Sequence, residues 1–217
     1  SKVTNFFCTF EHCTGLTTLD VSDWDLTSCL NLGGTFSYCT SLTSLDVSLW
    51  DVSTVTSFGL YWYAGTFQGC TGLTAIDVSG WVLNSSANIS FDHVFYGCTN
   101  LTTVGTATNL INSKVTDMQG TFYGCSKLAS IDVSGWDMSN VSNITSVFQG
   151  CTTLTTLDVS TWDTTNITIY TNAFYGDSAL TTLDVSDWNV TKGTSFAAAF
   201  GYCSKLTALD VSGWVLN

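Results

Sequence analysis

The sequence predicts a repeat solenoid of the leucine-rich-repeat kind. About eight rungs would each add one short strand to a parallel β-sheet and one short helix or 3₁₀ turn behind it. Three observations point there. The ten residues from Leu154 to Asp163 recur almost letter for letter from Leu16, Leu42, Leu73, Leu128, Leu180 and Leu206, with a decayed copy from Leu101. A self-similar period of about 20 to 50 residues marks an array of stacked units. Cysteines keep the frame at 13, 39, 70, 98, 125, 151 and 203, with Asp177 in the remaining slot, at spacings of 26, 31, 28, 27, 26, 26 and 26. A Phe stands three residues before each slot, from Phe10 to Phe200, and a Trp eleven after it, from Trp24 to Trp214, with Asn109 replacing Trp in the fourth repeat.

Each element follows from a change of apolar period inside the repeat. Val141, Ile144, Phe148 and Cys151 lie three to four apart, the spacing of one face of a helix or 3₁₀ turn. Gly150 and its equivalents let the chain swing away. Leu157 and Val159 then alternate with Asp158 and Ser160, the two-residue period of a strand. Leu154-x-x-Leu157-x-Val159-x-x-Trp162 fits the leucine-rich-repeat frame, with Trp in its Asn slot. Proline is absent, so no strand loses a ladder donor. Stacking at about 4.8 Å per rung gives a rod roughly 40 Å long, with Leu, Val, Phe, Cys and Trp in inward columns.

Composition narrows the functions. Of 217 residues, 45% are hydrophobic and 13% aromatic, too many for disorder. There is no Arg, Lys appears among only 5 basic residues, and the net charge is −12. Such a surface repels phosphate backbones and favours cations, which argues against nucleic acid. No run of 18 apolar residues offers a membrane span. Residues 1–217 read as one array that begins and ends within a repeat and shows no polar caps.

The F-x-x-C-x-x-L-T-x-L-D-V-S-x-W-D-x-S-x-V-T pattern resembles the BspA-like leucine-rich repeat of about 26 residues found in bacterial surface proteins and lipoproteins. That resemblance implies an extracellular or cell-surface location and adhesive or structural roles without catalysis. It carries over no catalytic residue. The departures are Asp177 in a Cys slot, the decayed fourth repeat and the longer second and third repeats.

The most suggestive column is Asp20, Asp46, Asp77, Asp132, Asp158, Asp184 and Asp210. Carboxylates stacked about 5 Å apart repel, which would raise some pKa values or recruit Ca²⁺. The alternative is that each Asp accepts bonds inside its own turn. A second column, Asp25, Asp51, Asp137 and Asp163, is broken by Val82, Asn189 and Val215, which favours turn chemistry. Paired carboxylates also suit a retaining glycosidase, yet nothing marks one pair as acid and nucleophile.

The Cys column reads as buried free thiols, because in-register side chains seldom meet disulfide geometry and nine is an odd count. Cys8 and Cys29 lie off the column and read as the reactive pair or as free thiols. His12 and His93 look isolated, and no C-x-x-C pair suggests zinc. Tyr61, Trp62 and Tyr63, in the insertion that lengthens the second repeat, are a candidate contact for a host protein or glycan. Frames for N-glycosylation occur at Asn84, Asn88, Asn100, Asn140, Asn143, Asn166 and Asn189.

The function read from all this is a non-enzymatic structural segment of a surface fibre, built by head-to-tail stacking of copies or within a longer tandem array. The rival is a surface adhesin. Ice binding through flat Thr and Ser rows is a third reading, weakened by the charged Asp row. No cofactor beyond Ca²⁺ is expected.

Overall fold

A computed structural model describes residues 2–59, 64–105, 107 and 110–216. The candidate contact at Tyr61, Trp62 and Tyr63 and the substituted Asn109 lie outside the described residues.

Like residues stack over like residues. Parallel bridges link Asn5 to Asn31, Asn31 to Ser57, Ser57 to Ser90, Asp117 to Asn143, Asn143 to Ile169 and Ile169 to Ser195. Two strands, β1 (Ile89–Ser90) and β2 (Val115–Asp117), pair in parallel within this same column. The Phe column runs unbroken, with Phe122 and Phe148 at 5.3 Å and 4° and Phe148 and Phe174 at 6.1 Å and 14°. Trp136, Trp162, Trp188 and Trp214 stack beside it at centroid spacings of 6.0, 6.1 and 6.3 Å. Parallel offset rings of this kind add attraction beyond their buried area. Interior Leu, Val, Phe, Cys and Trp side chains form one continuous buried core.

The expected helix or 3₁₀ turn is corrected. Among the described residues the segment leading through the core Phe carries neither, only consecutive turns. The hydrogen bonds explain this. The N–H groups of Ile144, Ser146, Phe148 and Gly150 donate along the axis to the carbonyls of Ile169, Thr171, Ala173 and Tyr175, at 2.8–3.0 Å. Between them, Val147, Gln149 and Cys151 donate backward to Ile144, Ser146 and Phe148 in their own rung. A helix needs every donor inside its own segment, and here half of them leave it. Ser146 and Gly150 also have φ of 55° and 76°, which breaks any right-handed run. A left-handed third residue is the type II turn geometry. Overlapping turns return a side chain inward every three or four residues, so they mimic the helical period.

The strand expectation needs correction too. Leu157 and Val159 are buried while Thr156 and Asp158 are exposed, as the alternation predicts. The axial bonding there is sparse, however, with bridges among the described residues only at Ala75–Thr103 and Thr156–Thr182. One strand per rung is therefore not formed. Side chains supply the missing axial bonds. Trp50, Trp81, Trp136, Trp188 and Trp214 donate Nε1 to a carbonyl of the preceding rung at 2.8–3.2 Å. Thr102 does the same through its hydroxyl at 2.8 Å, whereas Ser142, Thr168 and Thr194 add hydroxyl bonds at 3.0–3.1 Å beside the bridged column, to carbonyls that their own N–H groups already reach.

The long second repeat keeps its frame. Thr66 N donates to Phe58 O at 2.8 Å, where the preceding rung bonds Thr35 N to Leu32 O at 3.1 Å. The frame is therefore kept on both sides of the insertion. Glycines are required at its neck, since a Cβ on Gly59 or Gly65 would overlap the carbonyl oxygen of Asp92 or His93.

Candidate functional site

The Asp column occupies one exposed corner of the rod. Asp20, Asp46, Asp132, Asp158 and Asp184 each accept, on Oδ1, the backbone N–H and the hydroxyl of the Ser two residues on. Asp77 and Asp210 accept the corresponding N–H of Ser79 and Ser212 at 2.9 Å. These are Asx turns, in which a short carboxylate imitates a backbone turn. The expected rise in pKa is corrected: Asp158 is held below the usual carboxylate range by the Ser160 hydroxyl and N–H, and the opposing repulsion from Asp184 and Asp132 is weaker. Asp46 and Asp184 follow the same balance. Repulsion loses because the carboxylates are fully solvated, while each turn bond is direct. Asp51, Asp137 and Asp163 make equivalent turns at the next corner, and Asn189 substitutes there by accepting from Thr191 N at 3.2 Å. Among the described residues no three His, Cys, Asp or Glu side chains converge as a metal site.

The glycosylation frames mostly hold the rungs together. Nδ2 of Asn84, Asn140 and Asn166 donates to the carbonyl of Thr54, Ser113 and Ser139, and Nδ2 of Asn100 to that of Thr71. Asn143 donates to Gln119 Oε1 at 3.2 Å, and Asn189 reaches Thr165 Oγ1 at 3.5 Å. Asn88 is exposed.

All nine cysteines are free. Cys39, Cys70, Cys98, Cys125, Cys151 and Cys203 each aim Sγ at the carbonyl oxygen of the Phe one rung earlier, at 3.0–3.2 Å. Burial pushes these thiols up, Cys98 to about 12. Cys8, read from the sequence as reactive, is instead pushed up to about 11 by burial and by Glu11, and burial raises Cys29 as well. Neither is a poised thiolate.

Asp177 is fully buried in the Cys column. Its Oδ1 accepts the Cys151 N–H at 2.8 Å, while Oδ2 has no partner. Burial pushes this carboxyl up to about 8. The reading of His93 as isolated is also corrected: its Nδ1 pairs with the Asp92 carboxylate, both residues being buried. Asp117, on the next rung, is raised by burial and by Asp92. The visible signal was an Asp-His dipeptide in a slot that no other repeat fills with a charged or imidazole side chain.

No helix among the described residues is long and apolar enough to cross a membrane. A search of curated proteins returns no significant match. A leucine-rich cell surface protein from Faecalibacterium prausnitzii is similar in structure at 16% identity and a TM-score of 0.28, over 93% of this chain and 74% of that one. A family model described as "Mycoplasma protein of unknown function, DUF285" matches residues 1–106 and 90–214. Together those matches run through the repeat array from end to end, and the chain belongs to that DUF285 family.

Proposed function

We propose that this chain is a non-enzymatic structural repeat segment displayed at the cell surface. Its end rungs are covered by further rungs, either neighbouring repeats of a longer array or the opposite end of a second copy. The observation that carries this reading is the pair of open ends. Val3 and Phe7 are each 45% exposed at the first rung, beside Phe6, Phe10 and Trp24, which are only partly buried. At the last rung Leu216 is 66% exposed beside a partly buried Trp214, whereas Leu26, Val52 and Met138 in the same slot of other rungs are buried. Their interior counterparts Phe36 and Trp50 are fully buried. A contact between two different faces does not close and propagates as a fibre.

The surface placement rests on the resemblance of the repeat. Against catalysis stands the state of the carboxylates: a glycosidase needs one raised acid, and Asp46, Asp158 and Asp184 are all lowered. Light scattering against concentration tests the assembly. The wild type should gain mass in whole-chain steps, and Phe7→Lys or Leu216→Lys should keep it monomeric without lowering its melting temperature. A wild-type chain that stays a monodisperse monomer at high concentration contradicts end-to-end association.

The rival adhesin reading draws on the insertion between Gly59 and Gly65, whose flanking residues keep the rung frame. In that reading its aromatic tip meets a host protein or glycan.

A further inference from the structure

The two ends of the rod carry complementary hydrogen-bonding edges. Along the turn ribbon every second N–H donates to the rung that follows. Tyr170, Asn172, Phe174 and Gly176 donate in this way to the carbonyls of Ser195, Ala197, Ala199 and Gly201 at 2.8–2.9 Å. On the last rung the equivalent N–H groups belong to Phe196, Ala198, Phe200 and Tyr202, and none finds an acceptor among the described residues. On the first rung the carbonyls equivalent to those of Asn31, Gly33, Thr35 and Ser37 are Asn5, Phe7, Thr9 and Glu11, and none finds a donor there. Four donors thus leave one end at the spacing at which four acceptors enter the other. Like ends offer no such match, since two last rungs would set donor against donor, and unpaired backbone groups are costly to bury.

Side chains add a bond in the opposite sense. In the interior the Val21 carbonyl accepts both Trp24 N and the Nε1 of Trp50, each at 3.1 Å. On the last rung the equivalent carbonyl, that of Val211, accepts Trp214 N alone, while Trp24 Nε1 on the first rung meets no acceptor among the described residues. The ring columns also run out to both ends without tilting. Phe10 and Phe200 lie within 4° and 3° of their inner neighbours, and Trp24 and Trp214 within 4° and 2°.

One slot singles out the end rungs. Two residues after the core Phe, five inner rungs carry Gly at 69, 97, 124, 150 and 176, whereas the first, second and last carry His12, Tyr38 and Tyr202. His12 and Tyr38 stack at 4.7 Å and 9°, and Tyr202 is 76% exposed. A second copy laid on the last rung in register brings His12 over Tyr202 and joins three aromatic rings in one stack.

We infer that a second copy of this chain docks its first rung on the last rung in the register of the repeat. Its Asn5, Phe7, Thr9 and Glu11 carbonyls accept from Phe196, Ala198, Phe200 and Tyr202, its Trp24 donates to Val211, and its His12 covers Tyr202. This rests on the end-to-end reading above and adds the polarity, the register and the contacts.

Two measurements on residues 1–217 test it. A single spin label, carried on a ketone-bearing residue at Ser22, Ser134 or Ser212, reports the distance between copies at concentrations where mass grows. One-way stacking of eight rungs makes that distance the length of the unit, about 38 Å, whichever site carries the label. The second measurement is a double-mutant cycle by sedimentation equilibrium. His12→Gly and Tyr202→Gly install the residue that the inner rungs already carry, so folding should survive. Either variant should weaken association roughly two- to tenfold, and the double variant no further than the stronger single one. Distances that change with the labelled site overturn the inference and leave end-to-end association standing. Losses that add in the double variant overturn the His12–Tyr202 contact in the same way. A chain that gains no mass at any concentration overturns both.

Discussion

At the scale of single residues, the same carboxylic acid does opposite things in two surroundings. At the exposed corners an Asp accepts two bonds from its own turn and is held low, as at Asp158. Stability from those turns is present above the ordinary carboxylate range and is lost as pH falls through the depressed pKa. Asp177 reverses the sign. Its folded pKa, about 8, lies above the unfolded 3.8, so the folded state binds the proton more tightly. Its stabilising contribution is complete below about pH 4, declines as pH rises toward 8, and is flat beyond. A shift of one unit corresponds to about 1.4 kcal/mol, so the decline is on the order of several kcal/mol. Chemical denaturation of the wild type and Asp177→Asn between pH 4 and 9 checks this. The wild type should lose stability across that window relative to the variant. Parallel profiles would show that Asp177 ionises freely.

At the scale of the element, the repeat is a ribbon of turns whose donors alternate between its own rung and the next. Columns were legible in the sequence because Phe, Cys and Trp recur at fixed offsets, and all three columns are inward in the structure. The local conformation was not. Val141, Ile144, Phe148 and Cys151 show a helical period, yet the left-handed Ser146 has no telltale glycine, and only axial partners reveal where Ile144 N goes. The Asx turns were legible as an alternative, since Asp and Ser two apart carry their own mechanism. The groove lined by Tyr38, Gln68 and His93 was not, because these residues meet only once rungs of unequal length are stacked. The insertion gives this scale its prediction. Removing residues 60–64 places Thr66 three positions after Phe58 and restores the 26-residue spacing found in four other repeats. Because Thr66 N and Oγ1 already bond Phe58 O at 2.8 and 2.7 Å, the excision should leave cooperative unfolding intact and the melting temperature within a few degrees. A collapse of cooperativity would show that the excursion holds the second and third rungs together.

At the scale of the whole molecule, stability is a sum of rungs and of contacts between neighbours, with no element that holds distant parts together. The polar corners, the hydroxyl rows and the groove are consequences of how the interior stacks. That stacking is measured most directly as a ruler along one column. Ser22, Ser79, Ser134 and Ser212 are exposed and occupy the same corner in different rungs. Spin labels attached there through ketone-bearing residues, which avoid the native thiols, report distances by pulsed electron resonance. With about 4.8 Å per rung, the pairs Ser134–Ser212, Ser79–Ser212 and Ser22–Ser212 should lie about 15, 24 and 34 Å apart. A linear increase with rung number is the predicted result. Distances that do not grow with rung number would contradict the solenoid itself.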